Sequence, residues 1–113
     1  MSAIALIEDY LNGRSDPLKA VKESLDLCER DRNGSFLNLD RKGAIAAAEL
    51  SQKRYSQGNP IGLWDGVPIG VKDNLALAGL PWTNGMLAYQ DRMADFDASC
   101  LSDIKASGAV IIG

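Results

Sequence analysis

The sequence contains no histidine. Catalysis confined to these residues therefore has no Ser–His or Cys–His pair, and a metal ion would find no imidazole ligand. A base working near neutral pH must be a carboxylate, or a lysine whose surroundings favour the neutral amine. Cysteine is nearly absent as well. Cys28 and Cys100 lie far apart, without the spacing of a metal site. They read as two buried thiols of a reducing, cytoplasmic setting. Positive charge is scarce: 12 lysines and arginines against 15 acidic residues leave a net charge of −3. With no basic stripe to neutralise phosphates, direct nucleic-acid binding is not expected. No apolar run has the length of a membrane span. The first eleven residues include Glu8 and Asp9 and lack the basic start of a signal or transit peptide. No membrane association, cofactor or metal is expected.

The 113 residues suffice for one small domain with a packed core. Helical periodicity dominates residues 1–60. A first helix is predicted over Ser2 to Leu11, with Ile4, Ile7 and Leu11 as its apolar stripe, closed by Asn12-Gly13. Ser15-Asp16-Pro17 supplies a capping oxygen and a first-turn proline for a second helix, running to Arg30 or Arg32. Its stripe is Leu18, Val21, Leu25 and Cys28, and the charges from Glu29 to Arg32 read as a solvated end. Phe36, Leu37 and Leu39 form an extended connector against the core. Asp40 caps a third helix, Arg41 to Gln57, whose alanines at 44, 46, 47 and 48 allow close helix packing.

From residue 61 the pattern changes. Seven of the 11 glycines fall in 61–113, among short β-like runs. A strand is predicted over 67–71, a turn-rich loop over 80–85, a turn of helix over 86–89, and a fourth helix from Ala98 to Ser107 capped by Asp97. A buried strand follows, Ala109 to Ile112. Two strands joined through a helix imply parallel pairing. The fold class is thus α/β, with helices first and the beginning of a sheet after them. A buried-type strand at residue 112 leaves a bare sheet edge, so the chain reads as the front part of a larger domain, weakly stable alone.

The chemistry concentrates in Leu63 to Asn74. Asp65-Gly66 is a turn former. Val67, Ile69 and Val71 share one strand face, and Gly70 and Lys72 the other. Lys72, at the end of an apolar strand, is a candidate for a partly buried amine; a snorkelling surface lysine fits the same pattern. Asp73 and Asn74 suit a structural role, their side chains bonding nearby amides to fix the turn. Trp64 and Trp82 read as packing or loop anchors.

Gly66-Val67-Pro68-Ile69-Gly70-Val71-Lys72-Asp73-Asn74 resembles the lysine motif of the amidase signature family. The order downstream is similar too: Gly79, then Thr83-Asn84-Gly85, then Asp97-Ala98-Ser99-Cys100, then Ser107 to Gly113. The resemblance covers nearly all of 1–113, as the N-terminal part of one amidase signature domain. It implies a mixed sheet sandwiched by helices and hydrolysis of linear carboxylic amides by a Ser–cis-Ser–Lys triad. Lys72 matches the catalytic lysine, with Gly70, Asp73 and Asn74 around it. Both family serines lie in a glycine- and serine-rich region beyond Gly113. Ser51, Ser56, Ser99, Ser102 and Ser107 match neither, so the 113 residues alone are expected to be inactive. Met86 stands where many members carry serine. The implied substrate is a small-molecule amide, and the further associations implied are a homodimer or a partner subunit. The amidase-like component of a tRNA-dependent amidotransferase shares the motif. There the Trp82-Thr83-Asn84-Gly85 loop departs from the usual Thr-Thr-Cys-Ala-Ser run, which favours a general amidase. A truncated product that is inert, folds poorly, or acts only by binding a complementary fragment is the third reading.

Overall fold

The computed structural model describes residues 2–113. Helix α1 spans Ala3–Leu11, α2 Pro17–Glu29, α3 Arg41–Ser56 and α4 Ser99–Ala106. Strand β1 (Pro68–Ile69) pairs in parallel with β2 (Val110–Ile111). A single 3-10 turn, Leu87–Tyr89, lies where a turn of helix is predicted.

The helix starts follow local chemistry. Ser2 accepts the Ala5 amide at 3.2 Å, Asp16 the Lys19 amide at 2.9 Å, and Asp40 the Gly43 amide at 3.0 Å. Each oxygen satisfies one of the donors that a first turn leaves open. Helix α4 breaks the pattern. Its N-cap is Ala98, with no side-chain cap. Asp97, expected to cap it, accepts the Ala78 amide at 2.8 Å and the Lys105 ammonium at 2.7 Å. A tertiary donor and a charge-assisted bond outcompete the local cap.

Helices α2 and α3 pack together, α3 touches β2, and α2 touches β1. Val21 and Leu25 of α2, Ala44 and Ala48 of α3, and Val110 and Ile112 form the main core. The alanines act as expected at 44 and 48, while Ala46 is exposed. Phe36 and Leu39 join this core, and Leu37 points outward. A second cluster joins Leu6 and Tyr10 of α1, Ala20 of α2 and Tyr55 of α3. This corrects the face predicted for α1: Ile4 is 70% exposed and Leu11 65%, while Leu6 and Tyr10 are buried. Both stripes have helical spacing. Tyr10 decides between them, because its ring meets Tyr55 edge-on at 5.3 Å and its hydroxyl donates to the Gly66 carbonyl at 3.0 Å.

The ladder is short but extends past the strands. Val110 donates to the Val67 carbonyl (2.9 Å), Ile112 to Ile69 (3.0 Å) and Val71 to Gly113 (2.8 Å). The far side of β2 is partly closed, since Asp40 donates its amide to the Ile112 carbonyl at 2.9 Å. Asp65 does more than form a turn. It is fully buried, and Arg54 grips it in a fork, Nε to Oδ2 at 2.8 Å and Nη2 to Oδ1 at 2.6 Å. The Ile61 amide adds a third bond at 3.0 Å. This pair joins the end of α3 to the entrance of β1. Gly108 (φ +91°) passes so close that a Cβ there would lie 2.6 Å from Asp65 Oδ1. None of the helices among the described residues is long and apolar enough to cross a membrane.

Candidate functional site

Lys72 lies three residues past the carboxyl end of β1. It lines an open groove of about 460 Å³ with Phe36, Leu37, Asn84, Gly85 and Gly113. Gly113 follows the end of β2, so the groove sits outside the carboxyl ends of both parallel strands. Open α/β sheets place their ligands in that position. Gly70 matters to its shape: a Cβ there would come within 2.7 Å of the Phe36 ring, so glycine lets the ring form one wall.

The expected partial burial of Lys72 does not hold within these residues. The side chain is exposed, and none of the ion pairs among the described residues includes it. The backbone explains the exposure. The chain leaves β1 at Gly70 and turns at once, the Leu75 amide bonding the Lys72 carbonyl at 3.0 Å, so Lys72 sits in an exposed turn on the groove.

Asp73 and Asn74 behave differently from each other. Asn74 is exposed and makes no side-chain hydrogen bond among the described residues. Asp73 reaches away from its own turn. Its Oδ1 accepts the Thr83 amide at 2.8 Å, its Oδ2 accepts the Thr83 hydroxyl, and its carbonyl accepts the Asn84 amide at 3.2 Å. Thr83 Oγ1 in turn accepts the Gly85 amide at 3.1 Å, around the left-handed Asn84 (φ 53°). Burial opposes ionisation of Asp73. The Thr83 and Gly85 bonds and the Arg92 charge outweigh it and hold the carboxyl below its ordinary range. The loop behind Thr83 is braced by Arg92. Its guanidinium stacks 3.9 Å from the Trp82 ring and 4.3 Å from Tyr89, and its Nε donates to the Trp82 carbonyl at 2.5 Å. Phe96 meets Trp82 edge-on at 5.6 Å. Trp82 is thus the loop anchor that the sequence suggests.

Sequence reasoning brings Gly70, Lys72, Asp73 and Asn74 to one groove and misses the ties made by Thr83 and Arg92. Neither carries a local signal, because each acts on a residue ten positions away. Ser35 is the serine on the groove wall, and its amide is tied to Asp31 at 3.0 Å. Ser51 is fully buried in α3. No group of three or more histidine, cysteine or acidic side chains able to hold a metal ion occurs among the described residues.

Residues 19–113 match the family model described as Amidase. The chain is 32% identical over 114 residues to a Glutamyl-tRNA(Gln) amidotransferase subunit from Salinispora tropica, covering 99% of this chain and 23% of that protein. It is 33% identical over 113 residues to the indoleacetamide hydrolase of Bradyrhizobium diazoefficiens, covering 100% of this chain and 19% of that one. The structure of a bacterial aryl acylamidase of the amidase signature family superposes with a TM-score of 0.89 at 24% identity, over 100% of this chain and 24% of that one. The chain therefore spans about a fifth to a quarter of the length of these relatives. Its helices and small parallel sheet are a partial amidase signature fold. On the family match across residues 19–113, this chain belongs to the amidase signature family.

Proposed function

We propose that these residues serve an amide hydrolase that splits a linear carboxylic amide into an acid and ammonia or an amine, with Lys72 as the base. The observation that carries this reading is the position of Lys72, inside the family-like Gly66–Asn74 segment and on a groove outside the carboxyl ends of two parallel strands. In the proposed triad, the lysine amine takes a proton from a bridging serine, which activates a nucleophilic serine. Both hydroxyls are supplied from outside these 113 residues. Their arrival would also wall the open side of the groove. Removing water around an amine disfavours its charged form, and the neutral form is the one that accepts a proton.

The test is substitution of Lys72 in a full-length protein with measurable amidase activity. Lys72→Ala is expected to lower turnover by about 10²- to 10⁴-fold, with an unchanged melting temperature. Normal turnover in that variant would remove Lys72 from the mechanism.

A second reading has its own support, since several relatives are Glutamyl-tRNA(Gln) amidotransferase subunits. In that reading ammonia released from glutamine passes to a partner subunit. Glutamine hydrolysis that rises on adding such a partner would favour it; turnover of simple amides without one favours the hydrolase. Homodimerisation is compatible with either. Cys28 is half-buried and Cys100 exposed, which corrects the expectation of two buried thiols; a reducing, cytoplasmic setting rests on the scarcity of cysteine. An inert remnant predicts no turnover in any form of the protein.

A further inference from the structure

We propose that Thr83 is a positioning residue for Lys72, acting through Asp73; the inference rests on the reading of Lys72 as the base. Among the described residues, no side chain bonds within the lysine turn, 72–75, itself. Its closing bond is between backbone groups, Leu75 amide to Lys72 carbonyl. What holds the turn in place comes from the 82–85 loop. Thr83 offers both its amide and its hydroxyl to one carboxylate, and the Asn84 amide binds the carbonyl of the same aspartate. One hydrogen bond fixes a distance and leaves rotation free. Two bonds to the two oxygens of a planar carboxylate also fix its orientation. Because the aspartate is next to the lysine in the chain, orienting Asp73 orients the peptide that carries Lys72.

The grip is also anchored. Trp82 donates its amide to the Arg92 carbonyl at 2.9 Å and receives Arg92 Nε on its own carbonyl, so the residue before Thr83 is held from both sides. The two hydrogen bonds turn the Asp73 carboxylate toward Thr83, and none of the ion pairs among the described residues joins it to Lys72. The Asp73–Thr83 bracket borders the groove that Lys72 lines, since Asp73, Asn84 and Gly85 all belong to its wall.

The experiment uses Thr83→Val, which keeps the shape and removes the hydroxyl, and Thr83→Ser, which keeps the hydroxyl. In the 113-residue chain, amide hydrogen exchange is read residue by residue. Thr83→Val is expected to speed exchange at Leu75, Asn84 and Gly85 by about tenfold, with α2 and α3 unchanged, and Thr83→Ser to restore the slower rates. Wild-type rates at Leu75 in Thr83→Val overturn the inference. So does an equal rise across α2 and α3, which marks a general structural role, and so does a wild-type Thr83 amide with no protection. In the full-length enzyme, Thr83→Val is expected to lower kcat by roughly tenfold with KM within about twofold, and Thr83→Ser to recover kcat. Normal kcat in Thr83→Val beside an inactive Lys72→Ala overturns the role of Thr83 alone. Full activity in Lys72→Ala overturns the reading of the base.

Discussion

Asp65 takes three hydrogen bonds on its two oxygens while wholly shielded from water. Burial opposes its ionisation, and the bonds and charge of Arg54 with the Ile61 amide outweigh that cost, so its carboxyl sits below the usual carboxylate range. A depressed folded-state value contributes stability above the unfolded value of about 4, and that contribution is lost as pH falls through the lower folded value. Arg54→Met leaves the buried charge without its main partner and is expected to cost about 3 kcal/mol at neutral pH, read as a lower urea midpoint. The same substitution should cost less at acid pH, where Asp65 takes up a proton. A cost that stays constant from neutral to acid pH would show that the pair contributes through packing rather than charge.

Among the elements, α2 is the helix whose boundaries follow from its own residues. Asp16 caps it, Pro17 begins it, and Val21 and Leu25 bury its inner face. Asp16→Ala should therefore destabilise the chain by about 1 kcal/mol, measurable in thermal or urea unfolding without a change in the folded spectrum. Helix α4 depends on its neighbours instead. Its uncapped start is held where Asp97 binds Ala78 and Lys105, and the Ala98 amide bonds the Ala76 carbonyl at 2.8 Å. The strands show the same dependence. Apolar residues alternate over 67–71 and run continuously over 109–112, yet the regular ladder shrinks to Pro68–Ile69 and Val110–Ile111. Pro68 lacks an amide hydrogen, and Gly70 gives its side-chain space to Phe36.

At the level of the molecule, the groove around Lys72 holds one element of the proposed triad. Ser35 on its wall is engaged with Asp31, and Ser51 is buried in α3 beside the Asp65 pair. The purified 113-residue chain is therefore expected to release no ammonia from simple amides in a coupled assay. Turnover that disappears on Lys72→Ala would overturn this and require a nucleophile within the chain. Large apolar side chains remain in water, with Leu63 71% and Leu87 85% exposed. The chain spans 24% of the aryl acylamidase it superposes on.

The starts of α2 and α3, close packing through the alanines of α3 and the parallel pairing are readable from residue order, because capping oxygens, small residues and short apolar runs act over a few positions. The lysine segment was readable for another reason: nine consecutive residues carry the family resemblance. The face that α1 buries, the ion pair around Asp65, the brace of Arg92 and the grip of Thr83 on Asp73 were not. Each joins residues ten or more positions apart, and no local pattern says which donor will reach a given oxygen once the chain has folded. The exposure of Lys72 belongs with them, since solvation of a side chain depends on every wall around it and not on the strand that ends beside it.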